Sequence, residues 1–207
     1  MTLAAADVAA AAAGAAGWGE LADAVSRCTA CAELVASRTR VVPGILPDRR
    51  ADVLLVGEAP GAQEDEAGVP FVGRSGVLLD RLLAEAGLSR DRVAVANVLK
   101  CRPPANRKPR RLEVAHCRPW LARQLDLADP QVVVALGGTA AEWFFGPSAR
   151  IAALRESEQH FAGRRVVVTY HPSAAIRFGP NGSPLAALRT DLAEAARIVA
   201  GTRPGPA

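Results

Sequence analysis

Lysine is almost absent: it occurs only at Lys100 and Lys108, so nearly all 25 basic side chains are arginine. Arginine suits phosphate recognition through its planar fork of donors, and genome composition is the other source of such a bias in so alanine-rich a chain. No stretch of eighteen strongly apolar residues occurs, which excludes a membrane-spanning helix. The first sixteen residues hold ten alanines and no lysine or arginine, so the basic start of a secretory signal is missing. A cytoplasmic address is the expectation. Four cysteines in 207 residues are too few to staple a secreted scaffold, and their uneven spacing suggests a metal site instead. A triphosphate-binding loop of the GxxxxGK[ST] type is absent as well. Half the residues are hydrophobic and 22% are charged, which excludes a wholly disordered chain. The net charge is only +4, so where the positive charge sits matters more than its total.

Residues 1–17 read as a flexible alanine-rich arm or weak helix, residues 18–200 as one domain, and residues 201–207 as a disordered tail. Leu21 and Val25 place a short helix before Cys28 and Cys31. Continuous apolar runs at Val53–Val56, Val93–Val98 and Val132–Leu136 read as buried parallel strands, and Arg165–Tyr170 as a fourth. Helical patterns fall between them: Leu78 to Leu83 ending near Gly87, Leu112 to Leu125 after Pro109, a helix opened by Gly137-Gly138-Thr139, and Leu185 to Val199 after Ser183-Pro184. Alternating strands and helices predict an α/β domain with a mostly parallel, four-stranded sheet. Sites in such folds lie beyond the carboxyl ends of the strands. That rule collects Gly57–Gly61, Asn97–Cys101, Gly137–Thr139 and His171–Ser173 on one edge.

Each segment has a chemical and a plainer reading. Gly57-Glu58-Ala59-Pro60-Gly61, with Glu64 and Asp65 beyond it, makes a tight turn whose backbone N–H groups suit a phosphate or a planar ligand. Its carboxylates can orient water, and a solvated acidic loop is the alternative. His171 at a strand end can donate to an anion forming on a ligand, or can merely tie down a loop. Cys28-x2-Cys31, Cys101 and Cys117 suit zinc or an iron–sulfur cluster, against four separate buried thiols. Between Lys100 and Arg118 stand seven basic residues against the single acid Glu113. They form either a phosphate-binding loop pinned by the flanking cysteines or an ordinary solvated loop.

Taken in order, these motifs closely resemble the family 4 uracil-DNA glycosylases, the iron–sulfur branch of that superfamily. The resemblance spans Cys28 to Val199. It rests on Gly57-Glu58-Ala59-Pro60-Gly61 with Glu64-Asp65, Gly68-x-Pro70-Phe71-Val72-Gly73-Arg74-x-Gly76, Asn97-Val98-x-Lys100-Cys101-Arg102-Pro103-Pro104, Cys117-Arg118-Pro119 and His171-Pro172-Ser173. It implies a three-layer α/β/α fold, a structural 4Fe–4S cluster on Cys28, Cys31, Cys101 and Cys117, and removal of uracil from single- or double-stranded DNA by a monomer. By the same resemblance the enzyme would work on bacterial nucleoid DNA, starting base-excision repair.

Within that reading Phe71 stacks on the flipped uracil and Asn97 reads its hydrogen-bonding edge. Glu58 and Ala59 line the pocket, Glu64 guards it and helps place water ahead of Glu58, and His171 donates to O2. Lys100, Arg102, Arg107, Lys108 and Arg110 are the expected phosphate contacts. The loop Ser173–Arg177 is expected to enter the minor groove, with Ile176 or Arg177 as its wedge. The best-known branch has an aspartate where this chain has Ala59, a position at which the family resembled here also lacks one. Two rivals differ in class. A relative that captures uracil covalently carries a histidine in the loop matching Pro103–Leu112, where this chain has none. A non-catalytic iron–sulfur DNA-binding module would need the basic loop but not Phe71, Asn97 and His171 together.

Overall fold

Three runs of aliphatic residues with no charge among them can be strands only in the middle of a sheet covered on both faces. They are β1 (Val53–Gly57), β2 (Val93–Asn97) and β3 (Val132–Leu136), buried along their whole length. The computed structural model describes residues 3–48 and 50–202. A short strand β4 (Gln159–Phe161) and β5 (Arg164–Thr169) complete the sheet, in the order β2-β1-β3-β5-β4. β1 runs parallel to β2 and β3, and β3 to β5, while β4 pairs antiparallel with β5. The helices are α1 (Val8–Gly14), α2 (Trp18–Ser26), α3 (Ala32–Ser37), α4 (Ala62–Ala67), α5 (Arg74–Glu85), α6 (Arg111–Ala128), α7 (Gly138–Phe145), α8 (Ile151–Leu154), α9 (Pro172–Phe178) and α10 (Ser183–Thr202).

The period-two alternation of a strand splits the core into two layers. Val53, Leu55, Val93, Val95, Val132 and Val134 meet Leu79, Leu82 and Leu83 of α5 and Leu188 and Leu192 of α10. Leu54, Val56, Ala94, Ala96, Val133 and Ala135 face the other way, onto Leu121 and Leu125 of α6 and Ala140, Ala141 and Phe144 of α7. The result is the expected α/β/α sandwich, with five strands rather than four. β4 is short and polar at an edge, so it lacks the apolar run that marks its neighbours. Its hairpin turns at Ala162 and Gly163, both at positive φ, the geometry of a tight two-residue connection.

The amino-terminal segment, expected as a flexible arm or a weak helix, forms α1 and packs on the domain. Val8, Ala12 and Ala15, spaced i, i+4 and i+7, are buried against Leu21, Val25 and Trp120. The Arg123 guanidinium donates to the Ala15 carbonyl just past the end of α1, at 2.7 Å. Alanine favours helix strongly, but an alanine run offers no contrast between faces, so its packed stripe is silent in the sequence. At the other end, Gly201 and Thr202 belong to α10, and the rest of the expected tail lies outside the described residues. Among those described, no helix is long and apolar enough to cross a membrane.

Candidate active site

The parallel register brings Gly57, Asn97, Gly137 and His171 to one edge, as the carboxyl-end rule requires. A cavity of about 510 Å³ opens there, lined by Glu58, Ala59, Glu64, Phe71, Arg74, Asn97, Arg107, His171, Ser173 and Arg177. A larger cavity of about 610 Å³ lies at the opposite edge, where Asp52 is paired with Arg92, and no aromatic or imidazole lines it. Phe71 and His171 line the smaller one.

Its floor is built by close approach. Asn97 ends β2 directly beside Gly57 of β1. A Cβ on Gly57 would stand 2.3 Å from Asn97 Oδ1 and 2.8 Å from Phe71 Cζ, so only glycine leaves room for both. Asn97 is 3% exposed, and its Oδ1 has no hydrogen-bond partner among the described residues. A buried acceptor left unpaired costs roughly 1–3 kcal/mol, which a ligand N–H would return. Phe71 holds φ of 56°, uncommon for a bulky residue. That turn points its ring inward, 5.8 Å from the His171 ring at an interplanar angle of 34°. Gly76 makes the turn possible, because a Cβ there would fall 1.7 Å from the Phe71 carbonyl oxygen.

His171 caps α9. Its Nδ1 accepts from the Ser173 backbone N–H at 3.2 Å and lies 2.8 Å from the Ser173 hydroxyl. An Nδ1 that accepts must be bare, so the neutral ring carries its proton on Nε2. Burial pushes the imidazole down to about 4, against the opposing pull of Glu64. The ring is therefore a neutral donor at physiological pH.

The two candidate carboxylates are held differently. Glu64 accepts from the Gly61 N–H at 3.1 Å with one oxygen and from the Gly73 N–H at 2.8 Å with the other, stapling two loops together. Glu58 receives the Thr139 hydroxyl on one oxygen alone. Thr139, on the edge that the carboxyl-end rule collects, thus enters as the partner of Glu58, whereas Asp65, named beside Glu64 in the same motif, does not line the pocket. Asp65 is 2% exposed and accepts from the Thr39 and Arg40 N–H groups, anchoring the segment after α3 to α4.

The basic loop departs most from expectation. Lys100 is 1% exposed and its ammonium donates inward to the Asn97 carbonyl, so it cannot reach a phosphate. Burial lowers it to about 8. Arg107 grips Glu113 with both terminal nitrogens and also reaches Glu33; it is raised, and Glu113 lowered, chiefly by their mutual hydrogen bonds. Arg110 pairs with Glu33, Lys108 with Glu142 at 3.1 Å, and Arg102 donates to Asn106 at 2.8 Å. A count of charges along the sequence misses Glu33 and Glu142 because they arrive from distant helices. Arg74 and Arg177, by contrast, line the pocket without any ion pair among the described residues. Ser173–Arg177 is helix rather than loop. Its Ser173 and Arg177, one turn apart, face the pocket, and Ile176 turns toward α5.

The four cysteines come together on the far side of Asn97. Cys28 follows α2, Cys31 precedes α3, Cys101 follows β2 and Cys117 lies within α6, and all four are free thiols lining one cavity. No group of three or more histidine, cysteine or acidic residues among those described is placed to hold a single metal ion. Burial pushes Cys31 up to about 11 and Cys117 to about 12, and raises Cys101. Arg38 donates to Cys101 Sγ at 2.9 Å and to the Cys28 carbonyl at 2.8 Å. The indole N–H of Trp120, a fully buried residue lining that cavity, has no partner among the described residues. His116 sits 3.5 Å from Cys31 Sγ and does not line the pocket of Asn97.

Comparison with known proteins gives one consistent result. The profile of the uracil DNA glycosylase superfamily matches residues 43–193. The chain is 44% identical over 157 residues to the type-4 uracil-DNA glycosylase of Thermotoga maritima, covering 74% of this chain and 80% of that one. Its identity to the type-4 uracil-DNA glycosylase of Archaeoglobus fulgidus is 40% over 160 residues, 73% and 79% of the two chains. A type-5 uracil-DNA glycosylase of Pyrobaculum aerophilum is 34% identical over 177 residues, 70% of this chain and 78% of its own.

Proposed function

The chain belongs to the uracil-DNA glycosylase superfamily, in its type-4 branch, and from that premise we propose that it hydrolyses the N-glycosidic bond of uracil in DNA. The product is an abasic site, the opening of base-excision repair, made by a monomer acting on nucleoid DNA in the cytoplasm. The observation that carries the reading is the buried Oδ1 of Asn97, unpartnered among the described residues, in the pocket that the Phe71 ring also lines. A planar base bearing an N–H is the partner this acceptor lacks.

Uracil inside a duplex is shielded, so its nucleotide must swing out, at a cost of a few kcal/mol. Stacking on Phe71 returns about 1–3 kcal/mol. Asn97 accepts from N3–H and donates its amide to O4; cytosine presents the reverse pattern and leaves both groups unpaired. As the bond from N1 to C1′ breaks, its electron pair stays on uracil and positive charge grows on the sugar. The Nε2–H of His171 donates to the anion at O2, and losing one such donor costs about 10²–10³ in rate. Water then adds to C1′, and its proton is released as the base takes one up. Glu58 is the better placed carboxylate for that water, since Thr139 occupies one of its oxygens whereas backbone N–H groups engage both oxygens of Glu64. Lacking an aspartate at Ala59, the pocket leaves Glu58 as the nearest acid in sequence.

The donor set suits a thiolate-held group: four cysteines line one cavity, with Arg38 and the orphaned Trp120 N–H as donors beside them. We assign Cys28, Cys31, Cys101 and Cys117 as holders of a 4Fe–4S cluster, which supplies a cross-link among the segments after α2 and β2, α3 and α6 and takes no part in bond cleavage. Purified protein should then contain iron and acid-labile sulfide in equal amounts, and Cys117→Ser should lose both; zinc instead would refute the assignment. Covalent capture is disfavoured by the place of His116, beside Cys31 and away from the pocket.

A labelled single-stranded oligonucleotide with one uracil tests the function. Alkali-dependent cleavage at uracil, and none at cytosine in its place, is the expected result. A denaturation-resistant protein–DNA band would support capture instead, and neither signal would leave a DNA-binding module.

A further inference from the structure

The pocket does not end at its rim. A second groove, about 460 Å³, continues from it and shares Gln63, Gly73 and Arg74 with it. Its wall is one stripe of α5: Arg74, Val77, Leu78 and Arg81 fall at i, i+3, i+4 and i+7, a single helix face. Val72 and Ile176 close the sides. Val77 is 68% exposed and Val72 is 41% exposed, two of the few large hydrophobic side chains left in water. No acidic residue lines this groove. Arg74 has no ion-pair partner among the described residues. Arg81 meets only Glu85, at 3.5 Å across an exposed pair, and Glu85 also serves Arg189. Two guanidiniums thus share one carboxylate, and salt screens such exposed pairs.

We propose that this groove binds the DNA strand flanking the extruded uracil on one side, with bases against Val72, Val77 and Ile176 and phosphates at Arg74 and Arg81. The inference rests on the uracil-excision reading and extends its substrate from one nucleotide to a directional stretch of single strand. The chemistry is that of a polyanion with flat apolar units: cations track the backbone while apolar side chains carry the base faces. From Arg74 to Arg81 the helix rises about 10 Å, about three nucleotide steps at the ~3.4 Å spacing of stacked bases. Continuity with the pocket favours this occupant over a protein, which would gain nothing from the shared Arg74.

The test uses the intact protein and single-stranded oligonucleotides carrying one uracil, with flanks of increasing length on the 5′ or the 3′ side. The wild type should show KM falling about tenfold as one flank lengthens and little change for the other. Arg81→Gln and Val77→Ser should each lose about three- to tenfold of that gain, with turnover of the shortest substrate and the melting temperature kept. Arg81→Gln should also lower the slope of log K against log salt by about 0.7, the value for one contact on a single strand, and Arg81→Lys should restore it. An equal gain from both flanks, or variants that keep the full gain, would overturn the proposal and leave the groove to another ligand. A wild type that cleaves no uracil substrate at all would overturn the excision reading itself, a separate outcome.

Discussion

At the scale of single residues, hydrogen bonds hold His171 and Glu64 in place before any base arrives. His171 is neutral because burial holds it near 4, and its Nδ1 is committed to Ser173. Excision should therefore stay flat from pH 8 to pH 5, where an ordinary histidine would titrate; a rate that follows an apparent pKa near 6.5 would contradict this assignment. The sign is fixed: only as pH falls through about 4 does Nδ1 take a proton and lose the Ser173 N–H, uncapping α9. His171→Ala should lower the single-turnover rate about 10²–10³-fold and change DNA affinity far less; the reverse ordering would refute its role at O2. Gly57→Ala places a methyl group 2.3 Å from Asn97 Oδ1 and 2.8 Å from the Phe71 ring. Uracil excision should drop at least about tenfold, a cost of roughly 1.4 kcal/mol or more in transition-state binding. Unchanged kinetics would mean that the floor relaxes freely.

At the scale of elements, the site depends on ties that carry no chemistry. Asp65, fully buried at the start of α4, receives the N–H groups after α3 and so links the uracil-side loop to the segment bearing Cys28 and Cys31. Asp65→Ala leaves those N–H groups unpaired and should cost about 1–3 kcal/mol of unfolding free energy, read by denaturant titration. A loss under about 0.5 kcal/mol would place that link elsewhere. The basic loop obeys the same logic. Arg107, Lys108 and Arg110 spend their charge on Glu113, Glu142 and Glu33, which fixes Pro103, Asn106 and Arg107 as one wall of the pocket. These residues shape the site instead of competing for phosphates. Arg74 and Arg177 remain for that task.

At the scale of the whole molecule, sandwich architecture and site location were both legible in the sequence. Apolar runs such as Val132–Leu136 have only one way to be buried, and parallel strands send their carboxyl ends to one edge. Asn97 and His171 stand together there because the register of β1, β2, β3 and β5 brings their strand ends to one edge, and the positive-φ turn at Phe71 carries its ring to them. Pairings between distant segments were not legible. Lys100 reads as a surface cation until its carbonyl partner at Asn97 is seen, and β4 and α1 lack the contrast between faces that marks an element from sequence alone. The groove along α5 belongs to this class too. Its arginines and valines are unremarkable in order and meaningful only beside the pocket.

The most direct measurement compares single-turnover excision of uracil by the wild type and by Asn97→Asp on one labelled oligonucleotide. The substitution replaces the amide donor to O4 with a carboxylate oxygen, so the wild type should cleave and the variant should be about 10–100-fold slower, matching roughly 1–3 kcal/mol for a buried group left unpaired. Equal rates for the two proteins would contradict that role, because the Asn97 amide would then have no part in choosing the base.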